Sequence, residues 1–141
     1  MIEGHCLCGS VRIRLDDHRP EVGACHCGMC RRWTGGVYVM FTAPPEAVTI
    51  EGPVGRYRSS SFAERAFCRT CGSNIYLRDD GAEYEFMPGL FDAARDFPLI
   101  SEVYVDKAMA CLRLGGDHKR ATQAEYEAKH KFVPAPEGET Q

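Results

Sequence analysis

Cys25-His26-Cys27-Gly28-Met29-Cys30 packs three thiols into six residues, too tight a spacing for three independent packing side chains. Cys25 and Cys27, if extended, point to the same face of the chain, and neighbours two apart cannot form an unstrained disulfide with each other. A turn at Gly28 swings Cys30 round to join them. Three thiolates that converge on one point make a metal grip, and thiolate sulfur selects zinc or an iron-sulfur cluster. Three protein ligands to zinc leave the fourth tetrahedral position to water or substrate, which points to chemistry.

Working outward, two more thiol groups flank this stretch. Cys6-Leu7-Cys8-Gly9 lies upstream and Cys68-Arg69-Thr70-Cys71-Gly72 downstream. The second is the shape of a zinc knuckle, in which a tight turn aims backbone N–H groups at the sulfurs and glycine tolerates positive φ. Cys68 and Cys71 need two further ligands. With Cys25, Cys27 and Cys30 assigned together, Cys6 and Cys8 are the pair left over.

Eight cysteines would also suit a secreted disulfide scaffold. Their grouping as close pairs and a triplet is a ligand pattern, not a spread of bridging partners. The N-terminus shows no charged-then-apolar leader, and no run of about 18 apolar residues offers a membrane span. The expectation is a cytoplasmic protein that does not engage membranes. A net charge of −3 with no basic run gives no nucleic-acid surface.

A length of 141 residues with 44% hydrophobic content suits one domain with its own core. Residues 1–132 are expected to form it, and residues 133–141, with two prolines and no period, to be a disordered tail. Val11, Ile13 and Leu15 alternate with Arg12 and Arg14, the period-2 pattern of a half-buried strand. Val37 to Phe41 reads as a buried strand, with short strands near Val48–Ile50, Gly55–Arg58 and Ile100–Val105. Ile75 to Arg78 and Tyr84 to Phe86 make a hairpin around Asp80-Gly81. Thr122 with Glu125 forms a capping box that starts a short helix reaching about Lys131. The fold class is mainly β with a short C-terminal helix.

The order CxCG, CHCxxCR and FCxxCG, followed by a hairpin and Gly89-Leu90-Phe91-Asp92, resembles the glutathione-dependent formaldehyde-activating enzyme family, also called the GFA or CENP-V domain. The resemblance covers roughly residues 3 to 115. It implies a Mss4-like, β-tent zinc domain with two Zn²⁺ per chain, a structural one on Cys6, Cys8, Cys68 and Cys71 and a catalytic one on Cys25, Cys27 and Cys30. It implies a carbon-sulfur lyase whose partners are a small thiol such as glutathione and an aldehyde, as when glutathione and formaldehyde give S-(hydroxymethyl)glutathione. The chain departs from the family in its last apolar run, Met109-Ala110-Cys111-Leu112, where members commonly carry a tryptophan.

The alternative is a zinc-stabilised protein-binding module without catalysis, because fold alone does not fix function. A module needs only the four-cysteine site, so the three-cysteine site separates the two readings. Arg31 and Arg32 read as solvated surface charges. His26, flanked by two ligands, points away from them if the segment is extended. Cys111, in its apolar run, is expected to be a buried free thiol.

Overall fold

The computed structural model describes residues 1–135. In chain order the first strands are β1 (Ile2–His5), β2 (Arg12–Leu15) and β3 (Val22–Cys25), followed by helix α1 (Gly28–Thr34) and β4 (Tyr38–Ala43). Next come β5 (Val48–Glu51), β6 (Val54–Arg58), β7 (Ala63–Cys68), β8 (Asn74–Asp79) and β9 (Tyr84–Phe86). The chain continues with β10 (Leu99–Val103), β11 (Lys119–Ala121) and helix α2 (Gln123–Glu127). The protein is mainly β, as its alternating patterns predict, and the short helix near the C-terminus is present.

These elements gather into two compact units. The first comprises Met1–Glu21 and Met40–Pro98, the second Val22–Val39 and the chain from Leu99 onward. β4 starts in the second and ends in the first.

In the first unit β2 lies between β1 and β5, antiparallel to both, with Ile13 opposite Gly4 on one side and Ile50 on the other. Strands β6 to β9 form an antiparallel meander, and the end of β4 pairs with β9 through Phe41 and Phe86. The expected hairpin is there, with Tyr76 opposite Phe86, Leu77 opposite Glu85, and Gly81 at φ 77° in the turn. Val11, Ile13 and Leu15 all point inward, as their alternation requires, onto a core of Phe41, Ile75, Tyr76, Phe86 and Phe91. Phe91 meets Phe41 edge-on at 5.2 Å and Phe86 at 5.8 Å. Cys6 and Cys68 belong to the same core, so burying the apolar strand faces also delivers two sulfurs to one place.

In the second unit β10 runs parallel to both β3 and β11, placing Val103 opposite Cys25 and Glu102 between Ala24 and Arg120. Helix α2 starts at the capping box: the Glu125 N–H donates to Thr122 Oγ1, and the Thr122 N–H to Glu125 Oε1. It ends at Glu127, four residues short of the expected Lys131, because it buries no residue that would hold a further turn. Of the expected tail, residues 133–135 carry no regular structure and 136–141 lie outside the described residues.

The run from Met109 to Leu114 forms a turn, not a strand, with the Leu112 N–H donating to Met109 O at 2.9 Å. That turn leaves Cys111 exposed, which corrects the expectation of a buried thiol.

Candidate metal centres

The first unit brings Cys6, Cys8, Cys68 and Cys71 together, with all four Sγ atoms within 4.8 Å of one another. Cys6 follows directly on β1, and the Gly9 N–H closes a turn onto Cys6 O at 3.0 Å, so the next thiol, Cys8, folds back beside it. Cys68 ends β7, and the knuckle after it closes with the Gly72 N–H on Cys68 O at 2.8 Å, Gly72 standing at φ 80°. N–H groups aim at sulfur as the motif predicts: that of Val11 donates to Cys6 Sγ at 3.3 Å, and that of Cys71 to Cys68 Sγ at 3.5 Å.

Two serines that sequence reasoning did not single out complete this cluster. Ser10 Oγ lies 2.9 Å from Cys8 Sγ and 3.4 Å from Cys68 Sγ. Ser73 Oγ accepts the Leu7 N–H at 3.0 Å and lies 3.2 Å from Cys71 Sγ, tying one cysteine arm to the other. Hydrogen bonding to the charged form favours it. The Ser73 hydroxyl and N–H bring the Cys71 thiol down to about 5. Ser10 lowers Cys68 in the same way.

The donor set can be tested against a metal. A Zn–S bond of about 2.3 Å in a tetrahedron puts neighbouring sulfurs about 3.8 Å apart. Cys6 to Cys8 is 3.6 Å and Cys8 to Cys68 is 3.9 Å. Both separations suit one tetrahedral ion, and all four sulfurs lie within 4.8 Å of one another.

The second unit gathers Cys25, Cys27 and Cys30, again with every Sγ within 4.8 Å of the others. No fourth histidine, cysteine or carboxylate ligand atom joins them among the described residues. Cys25 is the last residue of β3, and Cys27 is the N-cap of α1 with φ −61° and ψ 161°. Its sulfur takes the place of the usual capping oxygen, accepting the Cys30 N–H at 3.4 Å. The expected turn at Gly28 is therefore the first turn of a helix, and that helix brings Cys30 round. Gly35, at φ 86°, ends it with its N–H on Arg31 O. The three sulfurs share charge unequally. Hydrogen bonds from the Cys25 and Cys30 thiols hold Cys27 far below the ordinary thiol value, while Cys25 is pushed well above it by its hydrogen bonds to Cys27 and Cys30 and by burial.

His26 turns away from the thiols. Its ring is 1% exposed, and Nε2 lies 2.6 Å from Glu102 Oε2. The other carboxylate oxygen, Oε1, is 2.6 Å from His118 Nε2 and 3.5 Å from Arg120 Nε. Burial alone would raise the Glu102 carboxyl, but the His118 and His26 hydrogen bonds outweigh it and hold the group below the ordinary carboxylate range. Neither Glu102 nor His118 carries a sequence signal, since 76 and 92 positions separate them from His26 (102 − 26 and 118 − 26).

Tyr104, two residues beyond Glu102, has φ 57°, which among the described residues makes it the one non-glycine in the left-handed region. Strained backbone of this kind persists where its surroundings over-determine it. The ring is 5% exposed and its hydroxyl donates to Glu127 Oε1 at 3.3 Å. Burial raises its phenol, and the charges of Glu127, Cys27 and Cys25 add to the effect.

A small mainly β protein with two convergent thiol clusters, each able to hold a metal ion, is the class these observations define. Comparison with known proteins narrows it. The profile of the family described as glutathione-dependent formaldehyde-activating enzyme matches residues 1–107, and the chain belongs to that family. It is 31% identical over 112 residues to a Schizosaccharomyces pombe protein described as an uncharacterized lyase, the match covering 77% of this chain and 82% of that one. The crystal structure of a Rhodobacter sphaeroides protein has the same fold, with a TM-score of 0.56 at 22% identity over 70% of this chain and 99% of that one. The chain is accordingly an enzyme of the lyase class.

Proposed function

We propose that the protein is a zinc-dependent carbon-sulfur lyase that makes and breaks the bond between a small thiol and an aldehyde carbon, with glutathione and formaldehyde the first pair to test. The observation that carries this reading is the inequality of the two thiol clusters. One offers four sulfurs and the other three, among the described residues. A closed four-thiolate set serves structure, whereas three protein ligands leave a coordination position for substrate.

In this reading Cys6, Cys8, Cys68 and Cys71 hold a structural Zn²⁺, and Cys25, Cys27 and Cys30 hold a catalytic one. Zinc at the second cluster would supply a Lewis acid that keeps a substrate thiol ionised at neutral pH. The rest falls to the chain. Cys25, at a strand end, and Cys27 and Cys30, at a helix start, present their sulfurs from main chain fixed by regular hydrogen bonding. In the forward direction a sulfur lone pair of the substrate forms the C–S bond, the carbonyl π pair moves to oxygen, and the proton given up by the thiol ends on that oxygen. The reverse step returns thiol and aldehyde. Orientation of the two reactants supplies much of the acceleration.

Residues 1–132 acting as a single domain, and a cytoplasmic location, are parts of the same proposal. Among the described residues no helix is long and apolar enough to cross a membrane.

The uncatalysed condensation already proceeds, so the test is exchange at equilibrium. NMR exchange spectroscopy on glutathione with formaldehyde should show faster interconversion with the zinc-loaded protein than without it. Cys30→Ala should remove the enhancement and keep the fold, because the backbone N–H that caps onto Cys27 survives the substitution. Equal rates with wild type, variant and no protein, over a panel of thiols and aldehydes, would favour a protein-binding module.

A further inference from the structure

The buried trio of His26, Glu102 and His118 lies outside the thiol cluster, yet its first member stands between two of the thiols in sequence. Both anchors of His26 run to one strand. Its N–H donates to Val103 O at 3.2 Å and its ring reaches Glu102 at 2.6 Å, so main chain and side chain are both pinned to β10. Cys25 and Cys27, on either side, inherit that orientation.

Glu102 is fixed in turn. Its two oxygens each serve a different imidazole, and its side chain is 4% exposed. Without the His118 ring, Oε1 would keep only the Arg120 contact at 3.5 Å, and the carboxylate could rotate. A buried ionic group of this kind is weak evidence of stability, since an apolar trio of similar volume often packs as well or better. The His26 ring also leaves Nδ1 buried and without a hydrogen-bond partner, a penalty of its own. The arrangement is therefore no argument for stability by itself, and what it does give is a fixed direction for the segment that carries two ligands.

We propose that Glu102 and His118 are positioning residues for the three-thiol centre, acting through His26 to set how tightly and in what geometry Cys25, Cys27 and Cys30 hold a thiophilic metal ion. The inference rests on reading those thiols as metal ligands, not on the reaction carried out there. Outer partners of ligand-bearing groups typically change metal affinity ten- to a hundredfold. The intervening peptide places Glu102 at the lower end of that range.

The experiment uses cadmium-113 as the probe, bound to the whole chain and followed by NMR alongside chelator competition. Wild type should show two resonances, one for each thiol cluster. In Glu102→Gln, where one oxygen becomes an N–H₂ and a single acceptor oxygen faces two imidazoles, the three-thiol resonance should shift or broaden. Its cadmium should be lost at about tenfold lower chelator, and the four-thiol resonance should stay where it was. His118→Leu should repeat the effect, and His118→Gln, which restores an N–H donor, should reverse part of it. Should Glu102→Gln not fold, the two His118 variants decide.

Unchanged three-thiol resonance and affinity in all the folded variants would overturn the proposal while leaving the metal reading intact. A wild-type chain that binds cadmium only at the four-thiol cluster would overturn both. A uniform loss of affinity at the two clusters would show general destabilisation and refute positioning.

Discussion

Cys8 and Cys68, sixty positions apart in the chain, hold their sulfurs 3.9 Å from each other. A metal shared by them joins the end of β1 to the end of β7 across the core of the first unit. Because such a site does not exist in the unfolded chain, binding there is folding free energy, with apparent values of roughly 10 to 16 kcal/mol in zinc-finger peptides. Cys68→Ser should therefore yield insoluble or unfolded protein, read by circular dichroism and metal analysis. A cooperative thermal transition in a metal-free Cys68→Ser protein would contradict the assignment.

The two centres should release metal in sequence. Three sulfurs hold an ion less tightly than four, so a mild chelator should first remove the metal of Cys25, Cys27 and Cys30 while the far-ultraviolet spectrum is unchanged. A second equivalent should leave only at higher chelator, together with the fold. Simultaneous loss of both metals and of structure would exclude independent sites.

Gly4 has no room for a side chain. A Cβ there would stand 2.6 Å from Phe91 Cδ1 and 2.7 Å from the backbone oxygen of Leu90. Phe91 cannot yield easily, being wedged edge-on against Phe41 and Phe86. Gly4→Ala should destabilise by about 1–3 kcal/mol, the usual range for an overpacked core, seen as a lower urea midpoint at constant slope. An unchanged midpoint would show that the ring and the strand separate freely.

Much of the fold was legible because its information is local. Period-2 alternation at Val11, Ile13 and Leu15 and in the Ile75–Phe86 hairpin located strands, and Thr122 with Glu125 located α2. Both thiol clusters were legible too, since metal ligands come in close pairs whose spacing survives translation into sequence. Helix α1 was not, being seven residues long with a cysteine sulfur at its N-cap instead of an oxygen. Strand β7 hid because Ala63, Arg65, Ala66 and Cys68 are buried, so no face alternates. The link from His26 to Glu102 and His118 depends on parallel pairing of strands far apart in the chain, which no local pattern encodes.

Glu85 gives a pH dependence with a definite sign. Burial raises its carboxyl from 4.5 to about 7, Asp79 pushes the same way, and Arg65 opposes them. Between those two values the folded chain binds more protons than the unfolded one, so this group makes stability fall as pH rises through the window. Glu85→Gln removes the titration. The stability of the variant relative to wild type should accordingly be higher at pH 8 than at pH 5, with the metal content of the two matched. One pKa unit corresponds to about 1.4 kcal/mol, and the partial exposure of this side chain reduces the expected difference to about 1–2 kcal/mol. A difference independent of pH in denaturant titrations would refute the raised value.

The separation of the four-thiol ligands also sets a timetable for synthesis. A ribosome adding roughly 5 to 20 residues per second takes about 3 to 12 s to pass from Cys8 to Cys68. Throughout that interval the thiols that emerge next are Cys25, Cys27 and Cys30, the ligands of the other centre. An ion taken up early by Cys6 and Cys8 meets the wrong partners first, and its correct ones are made only later. The nascent chain must therefore either keep its first thiols free of metal until residue 71 has left the tunnel, or exchange ligands before it can close its core.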